Sequence, residues 1–513
     1  MRNKYGGQVI GAGGYGCVFK PALKCQESNI RTTGISKMLS NKDANVEWKE
    51  ISNVKKIILK IQDNHKYFLL GDMNICKPNI LTEDDKKNMQ ICNPLNNIGI
   101  NAKNINSKLD RVQIINMPDG GKDINEIISK NLVKFDILNA SLIDLLKNGI
   151  IPMNELKLFH NDLKGENILY KDEQSRIIDW GLASIQSGNK IPSAIKNRVM
   201  QFNLPFSNIL FNSYFNKWYS EQLNINNVNK NNPFIMEQLE LIAINWFELW
   251  KDLAGDGHIE YINNYIIIPI FLNYGIKVNM RKPDNIILLF VSKYLARIFY
   301  EYTNFDTIAP VFEEEKYYNE VYKNNCDIWG FVMSYMPLIR NNYFQKQNKN
   351  AYEVKYYIKN VCDLLLKYCF NNYYSTRKIN IKELVKDLEN IQSIEYNILN
   401  NNEVVDILSS HSNNPLPINP LSNKPLSNKP LSNNIQEVKK TGKKQKTEKK
   451  IRLSNKSSNK KISEKKLSNN LSNNLSNKLS KHSSQKKKST TKKRKRCPNG
   501  SRKNKNGDCI PYK

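Results

Sequence analysis

Apolar residues along this chain follow two different periods. Gln8–Lys20 alternates around a cluster of glycines, which predicts strand, tight turn, strand. In Asn45–Ile61 the apolar positions Val46, Ile51, Val54, Ile57, Ile58 and Ile61 fall close to helical spacing. Arg111–Met117 predicts a short buried strand, broken by Pro-Asp-Gly-Gly. Leu132–Leu146 returns to the helical period, with Leu132, Phe135, Leu138, Leu142 and Leu145 on one face. Strands first and helices later predict a two-lobed α+β body over residues 1–400.

After about Asn400 the periodicity stops. Pro415–Asn434 repeats Pro-Leu-Ser-Asn-Lys almost verbatim, and Leu467–Lys481 repeats Leu-Ser-Asn. Such stretches bury too little apolar surface to offset the entropy of ordering, so 401–513 is expected to be a disordered Lys/Ser/Asn-rich tail. Charge divides at the same place. The chain carries 78 basic and 48 acidic residues, a formal +30; residues 401–513 hold 29 against 6, leaving 49 against 42 for the body. A near-neutral body therefore bears a strongly basic tail. Its run Lys486–Arg496 suits nuclear import or sequence-blind binding of nucleic acid or another polyanion, because no aromatic residue interleaves the charges. Cys497 and Cys509 fall short of the four ligands a zinc site usually takes.

The same letters exclude other classes. No apolar run follows the first charges, which argues against a secretory signal. Tyr265–Leu272 and Ile286–Val291 are far shorter than the ~20 residues of a membrane span. Nine scattered cysteines suit a reducing, intracellular compartment.

Three stretches carry chemistry. Gly11, Gly13, Gly14 and Gly16, followed by Val18, fit G-x-G-x-x-G-x-V, in which glycines let backbone N–H groups approach phosphates. The strand-like Cys17-Val18-Phe19-Lys20-Pro21 that comes next favours a glycine hairpin over a nucleotide and not a Rossmann turn, which leads into a helix. His160-Asn-Asp162-Leu-Lys164-Gly-Glu-Asn167 precedes an apolar strand. It resembles the kinase catalytic loop H-x-D-x-K-x-x-N, and that likeness implies that Asp162 would orient and accept the proton of an attacking hydroxyl, Lys164 would neutralise a transferring phosphoryl group, and Asn167 would be a neutral oxygen ligand for magnesium. Ile177-Ile178-Asp179-Trp180-Gly181 then offers Asp179 as the second metal ligand.

These motifs together resemble a eukaryotic-type Ser/Thr protein kinase domain, with Asp-Trp-Gly in place of the usual Asp-Phe-Gly. The resemblance implies a protein-kinase-like fold: a small β-rich lobe to about residue 120, and a larger helical lobe over 121–400 closed by Phe331–Ile339 and Ile379–Ile391. It implies ATP and Mg2+ as cofactors and protein Ser/Thr hydroxyls as acceptors. Lys37 of Ile35-Ser36-Lys37 would contact the α/β phosphates, with Glu50 as its helical partner and Glu47 as the second choice. Ile115–Asp123 resembles a hinge, with a Gly-Gly-x-Asp ending similar to that of haspin-like kinases. Gly120 would give its N–H to the adenine, and Asp123 would meet the ribose. Asp327 of Cys326-Asp-Ile-Trp-Gly330 would cap the backbone of the catalytic loop.

Departures from that family are equally visible. The 148 positions between Asp179 and Asp327 imply a helical insert, within about 185–320 and including Gln238–Leu253. Gln201–Phe206 stands where Ala-Pro-Glu would be sought. Asn161 replaces the Arg that pairs with a phosphorylated activation loop, which predicts activity without that modification. Ile-Ser-Lys, Gln-Phe-Asn-x-Pro-Phe, the Gly-Gly hinge and the terminal Cys497–Cys509 element resemble the divergent kinases of giant nucleocytoplasmic large DNA viruses, mimivirus-like. A virus-encoded enzyme in the host cytoplasm, packaged in the virion, is what that likeness implies. The rival readings are a small-molecule kinase of the aminoglycoside or choline type, a pseudokinase, and a scaffold acting through its tail. Lys164 and the full glycine loop favour the protein kinase over the first.

Overall fold

The computed structural model describes residues 7–27, 34–276, 284–307, 310–340, 342–347 and 349–409, with two short strands near the C-terminus. The chain is mixed α+β, a small sheet-rich N-terminal region followed by a larger helical part. The first contains an antiparallel five-stranded sheet in the order β1 (Gln8–Ala12), β2 (Gly16–Lys20), β3 (Ile35–Ser40), β5 (Val112–Met117), β4 (Asn74–Cys76). Register decides which residues share a face. Gly11, Val18, Lys37, Ile115 and Ile75 lie opposite one another along the ladder, and Cys17, Met38, Ile114 and Cys76 line the other face. That other face is covered by the chain between β4 and β5, which buries Leu81, Met89, Leu95, Ile100 and Ile105 against it.

Helix α1 (Asn41–Ile58) starts directly after β3, because Ser40 Oγ accepts the Asp43 N–H at 3.2 Å and caps the first turn. It buries Ala44, Ile51, Val54 and Ile58 and lies against β3, β5 and the turn Trp180–Leu182. The expected helix over Asn45–Ile61 therefore forms slightly earlier, and the strand and helix expected at Arg111–Met117 and Leu132–Leu146 appear as Val112–Met117 and Phe135–Leu145. Leu132 falls outside that helix and is 46% exposed.

The interval between Asp179 and Asp327 is filled by helices, among them Phe215–Ile225, Ile235–Ala254 and Asp284–Tyr302. The last two pack side by side, and Phe215, Tyr219, Trp246, Phe299 and Phe312 form one aromatic cluster beside them. Helices Lys323–Met333, Ala351–Leu365 and Ile381–Glu389 complete the body. The segment Phe331–Ile339 is not one helix: the helix stops at Met333 and a short 3-10 turn, Met336–Ile339, comes after it.

Three observations change the sequence picture. Asn401–Ser409 is a helix that buries Val404 and Leu408, so the ordered body passes residue 400. The remainder of the expected disordered tail lies outside the described residues, apart from Ser501–Lys503 and Cys509–Pro511, which pair antiparallel in a separate unit. Four of the scattered cysteines stand in two disulfides, Cys17–Cys92 and Cys25–Cys76, each with Cα atoms 5.7 Å apart, whereas Cys326, Cys362 and Cys369 are buried free thiols. Among the described residues no helix is long and apolar enough to cross a membrane.

One buried carboxyl gives the helical part a pH dependence. Asp363 on Ala351–Leu365 accepts from Lys359 Nζ at 2.8 Å and from the Tyr274 hydroxyl. Burial outweighs the pull of the Leu399 N–H and Lys367, with Asp387 and Glu403 adding repulsion, and pushes its carboxyl up to about 8. An unfolded Asp titrates near ~3.9, so the native chain holds a proton that the unfolded chain has released. The stability this contributes is complete below about pH 4 and is lost as pH rises through 8. Asp363→Asn should flatten the decline in unfolding free energy between pH 5 and 8, removing a slope of up to about 1.4 kcal/mol per pH unit, as read from urea melts.

Candidate functional site

The loop His160–Asn167 is held from below by one carboxylate. Asp327, fully buried, accepts the His160 N–H on Oδ2 and the Asn161 N–H on Oδ1, both at 2.8 Å. The expected capping role is what the geometry displays. Burial pushes the Asp327 carboxyl up, more than the His160 and Asn161 N–H groups pull it down. Of its neighbours in the motif, Trp329 holds the later segment at Phe202 and Gly330 sits against the loop itself. Trp329 Nε1 donates to the Phe202 carbonyl at 3.0 Å, and a Cβ on Gly330 would be driven into the Leu163 carbonyl.

On top of that loop, Asp162, Lys164 and Asn167 come together. Lys164 Nζ stands 2.9 Å from Asp162 Oδ2. Asn167 Nδ2 donates to the Asp162 carbonyl at 2.8 Å and to Oδ2 at 3.2 Å. Asp162 is 7% exposed, yet its carboxyl lies below the usual range: burial would raise it, and the charges of Lys164 and Arg198 with the Lys164 and Asn203 hydrogen bonds outweigh burial.

Asp179 arrives beside Asn167 through the hairpin formed by the strands Ile168–Lys171 and Gln174–Ile177. The Ile178 N–H donates to the Asn167 carbonyl at 3.0 Å, and His160 Nε2 lies 2.9 Å from the Ile178 carbonyl. Asp179 itself is exposed, at φ 67°, a conformation that L residues with a Cβ rarely adopt and that functional sites retain. Trp180 is tucked in behind it, its ring 5.1 Å from His160 and 5.9 Å from Phe68. An oxygen-only pair, one amide and one carboxylate, suits magnesium, which keeps several waters and takes substrate phosphates as its other ligands. Asn167 spends its N–H groups on Asp162, which leaves its side-chain oxygen for such an ion. Among the described residues no cluster of three or more His, Cys, Asp or Glu could hold a metal by protein groups alone.

On the sheet, Lys37 Nζ lies 2.7 and 2.8 Å from the two carboxylate oxygens of Glu47. The preference for Glu50 gives way to the second choice, because the Ser40 cap starts the helix early and brings Glu47 over β3; Glu50 sits almost one turn further along. Lys37 is cross-strand neighbour to Val18, and Val18 to Gly11. The Gly13 N–H closes the hairpin onto the Gly16 carbonyl at 2.9 Å, with Gly14 in the turn. A Cβ on Gly11 would meet nothing within 4 Å, so the fold itself does not demand glycine there, whereas a close-approaching ligand would.

The stretch after β5 behaves differently from expectation at one residue. Asp123 Oδ1 accepts the Glu126 N–H at 2.9 Å and caps the helix Ile124–Lys130. Gly120 is buried between Leu69 and Leu169. Asp119, not singled out from sequence, pairs with Lys20 at 2.8 Å and with Lys171 at 3.7 Å, tying β2 and the strand Ile168–Lys171 to this segment. Burial works against these lysines, and their pull, with the Gly121 N–H, still lowers its carboxyl.

Sequence reasoning also missed Arg198, Gln201 and Asn203, all under 9% exposed, which surround Asp162. The signal was there in part: Gln201 and Asn203 are polar letters inside the apolar run Met200–Phe206. His258 stacks on Phe202 at 5.4 Å, and burial together with the Lys164 charge lowers its pKa, so it is mostly neutral at pH 7. Compared with known proteins, the chain matches no family model and no curated sequence.

Replacing Asp327 tests how much the loop depends on it. Asp327→Ala leaves two buried N–H groups unpartnered and should lower stability by about 2–4 kcal/mol. Asp327→Asn, which keeps one acceptor, should fall between wild type and Ala when denaturant midpoints are compared.

Proposed function

We propose that this chain is a Mg2+- and ATP-dependent Ser/Thr protein kinase with a kinase-like two-lobed fold, virus-encoded, and bearing a basic tail for polyanions. The observation that carries this reading is the joint placement of Asp162, Lys164 and Asn167 on a loop fixed by Asp327, with Asp179 fastened beside them by the Ile178–Asn167 bond. Magnesium, when bound by Asn167 and Asp179, neutralises charge on the phosphates.

The protein's own groups do the rest. Lys37, oriented by Glu47, is the cation for the α/β phosphates, and the open backbone at Gly11 and Gly13 admits them under the hairpin. Asp162 is held ionised, so it acts first as a fixed acceptor that aligns the acceptor hydroxyl toward the γ-phosphorus. It takes the proton only as the O–P bond forms and the hydroxyl acidifies. Lys164, 2.9 Å from Asp162 Oδ2, is the cation for the transferring group. Asp123 keeps one carboxylate oxygen for the ribose, since the other caps a helix. Asn161 supports activity without loop phosphorylation: its Nδ2 bonds the Phe159 and Leu182 carbonyls and Ser184 Oγ at 2.9–3.2 Å, tying the following segment down directly.

Incubating the full chain with Mg2+, γ-labelled ATP and mixed protein acceptors should place label on serine or threonine, and Asp179→Asn should abolish it. Asp162→Ala should cut turnover by about 10²–10⁴-fold with nucleotide binding retained. Lys37→Ala should raise KM for ATP. ATP binding with no protein labelled would turn the assignment toward a small-molecule kinase or a non-catalytic nucleotide binder.

A further inference from the structure

Two disulfides sit behind the sheet, on the face away from Lys37, and they are not equivalent. Cys17–Cys92 joins β2 to the chain that covers that face, and neither residue has exposed surface. Cys25–Cys76 joins the chain after β2 to the end of β4, 51 positions on, and Cys76 is partly exposed. Exposed lysines, Lys24 and Lys77, adjoin its two cysteines in sequence, and Lys24 lines an open cavity with Leu23, Asn79 and Ile80. An anionic thiolate can approach this bond and not the other.

The accessible bond is connected to β3 and β5 by a buried polar chain. Asn116 Nδ2 donates to Cys25 Sγ at 3.4 Å and lies 4.0 Å from Cys76 Sγ. The Asn116 side-chain oxygen accepts the Ser36 hydroxyl, and Ser36 Oγ in turn accepts the Leu23 N–H at 2.6 Å. Asn74, Asn116 and Ser36 stand opposite one another across β4, β5 and β3. Ser36 directly precedes Lys37. The disulfide also closes a stretch of chain that contains β3 and α1, hence both Lys37 and Glu47. A covalent staple alone requires no buried amide and hydroxyl beside it, since such groups cost stability unless every partner is kept.

We propose that Cys25–Cys76 is a redox-modification site, opened by a dithiol reductant, and that its opening loosens β3 and β5 around Lys37 and weakens ATP binding. The reductant's thiolate attacks Cys76 Sγ, the partly exposed sulfur; the disulfide bond breaks, and Cys25 leaves as a thiolate that takes up a proton. The reductant's second thiolate then attacks its own sulfur in the mixed disulfide. Cys76 leaves and is protonated, and the reductant departs as a disulfide, so two electrons and two protons pass to the protein. Asn116 thereby loses the sulfur pair it was set against, and two thiols replace one bond in a close-packed interior. Asn116 and Ser36 repack, and β3 moves with them. Cys326, Cys362 and Cys369 are buried free thiols on helices of the other part and take no part. The effect on ATP rests on the function proposed above; the opening and the loosening do not.

The test equilibrates the full chain in graded ratios of reduced to oxidised dithiothreitol. Alkylation and peptide mass spectrometry should find Cys25 and Cys76 freed together, at a ratio where Cys17 and Cys92 stay paired. Backbone hydrogen exchange in Ile35–Ser40 and Val112–Met117 should then speed up by about tenfold or more, with Ala351–Leu365 unchanged. The Kd for ATP should rise about fivefold or more, and by linkage ATP should raise the ratio that opens the bond by the same factor. Cys25→Ser combined with Cys76→Ser should match the reduced wild type and ignore dithiothreitol; should that variant fail to fold, selective reduction of the wild type decides. Cys25 and Cys76 still free in fully oxidised buffer overturn the proposal. So do equal opening of both disulfides and unchanged exchange after selective opening. Faster exchange with an unmoved Kd overturns the link to ATP. A chain that binds no ATP in either state overturns the nucleotide reading alone, because hydrogen exchange still judges the switch.

Discussion

One buried carboxylate organises this molecule. Asp327 has no exposed surface and accepts two backbone N–H groups from adjacent residues of a loop 166 positions earlier in sequence. Burying an anion is costly unless donors replace its water, and backbone N–H groups on a curled loop are donors that cannot be met by a neighbouring strand. Each side therefore solves the other's problem. The loop can adopt the φ 60° bend at Asn161 because its buried N–H groups have an acceptor. Everything that stands on that bend, Asp162, Lys164 and Asn167 above all, inherits its position from a residue that never reaches the surface.

A second, looser constraint links the sheet to this loop. Phe68 forms a parallel bridge with Ile177, and the Ile177 N–H donates to the Tyr67 carbonyl at 2.9 Å. Phe68 also packs on Trp180, and α1 rests on the Trp180–Leu182 turn. The helix that carries Glu47, and through it Lys37, is thus in contact with the residues flanking Asp179.

The same arrangement explains which parts were legible in the sequence. That Asp162, Lys164, Asn167, Asp179 and Asp327 come together was legible because three short motifs carry them at close local spacing. Strands β1 to β3 and the first long helix were legible from period and glycine placement. Glu47 against Glu50 was not, because both lie near one face of α1 and the choice depends on where a serine cap starts the helix. Arg198 and Asn203 act across a long stretch with no spacing rule; polarity inside an apolar run marks Asn203, and nothing local marks Arg198. The disulfides required knowing that the chain between β4 and β5 folds back over the sheet, bringing Cys92 to Cys17. The helix Asn401–Ser409 was masked by the Lys/Ser/Asn-rich repeats directly after it.

Three buried side-chain atoms at the candidate site have no partner, as do others elsewhere among the described residues. Among the described residues, buried side-chain atoms without a partner include Trp180 Nε1, Arg198 Nε and Asn203 Oδ1. Each such atom costs about 1–3 kcal/mol relative to a satisfied one. All three belong to side chains in contact with His160 or Asp162, while Asp179 next to them holds a left-handed backbone. A core selected only for stability would have relieved that frustration with apolar side chains of similar size. Arg198 cannot be so replaced while Asp162 stays charged, and Asn203 cannot while Asp162 and the Leu163 carbonyl both require its amide. For Arg198 and Asn203 the local cost accompanies their hydrogen bonds to one buried carboxylate.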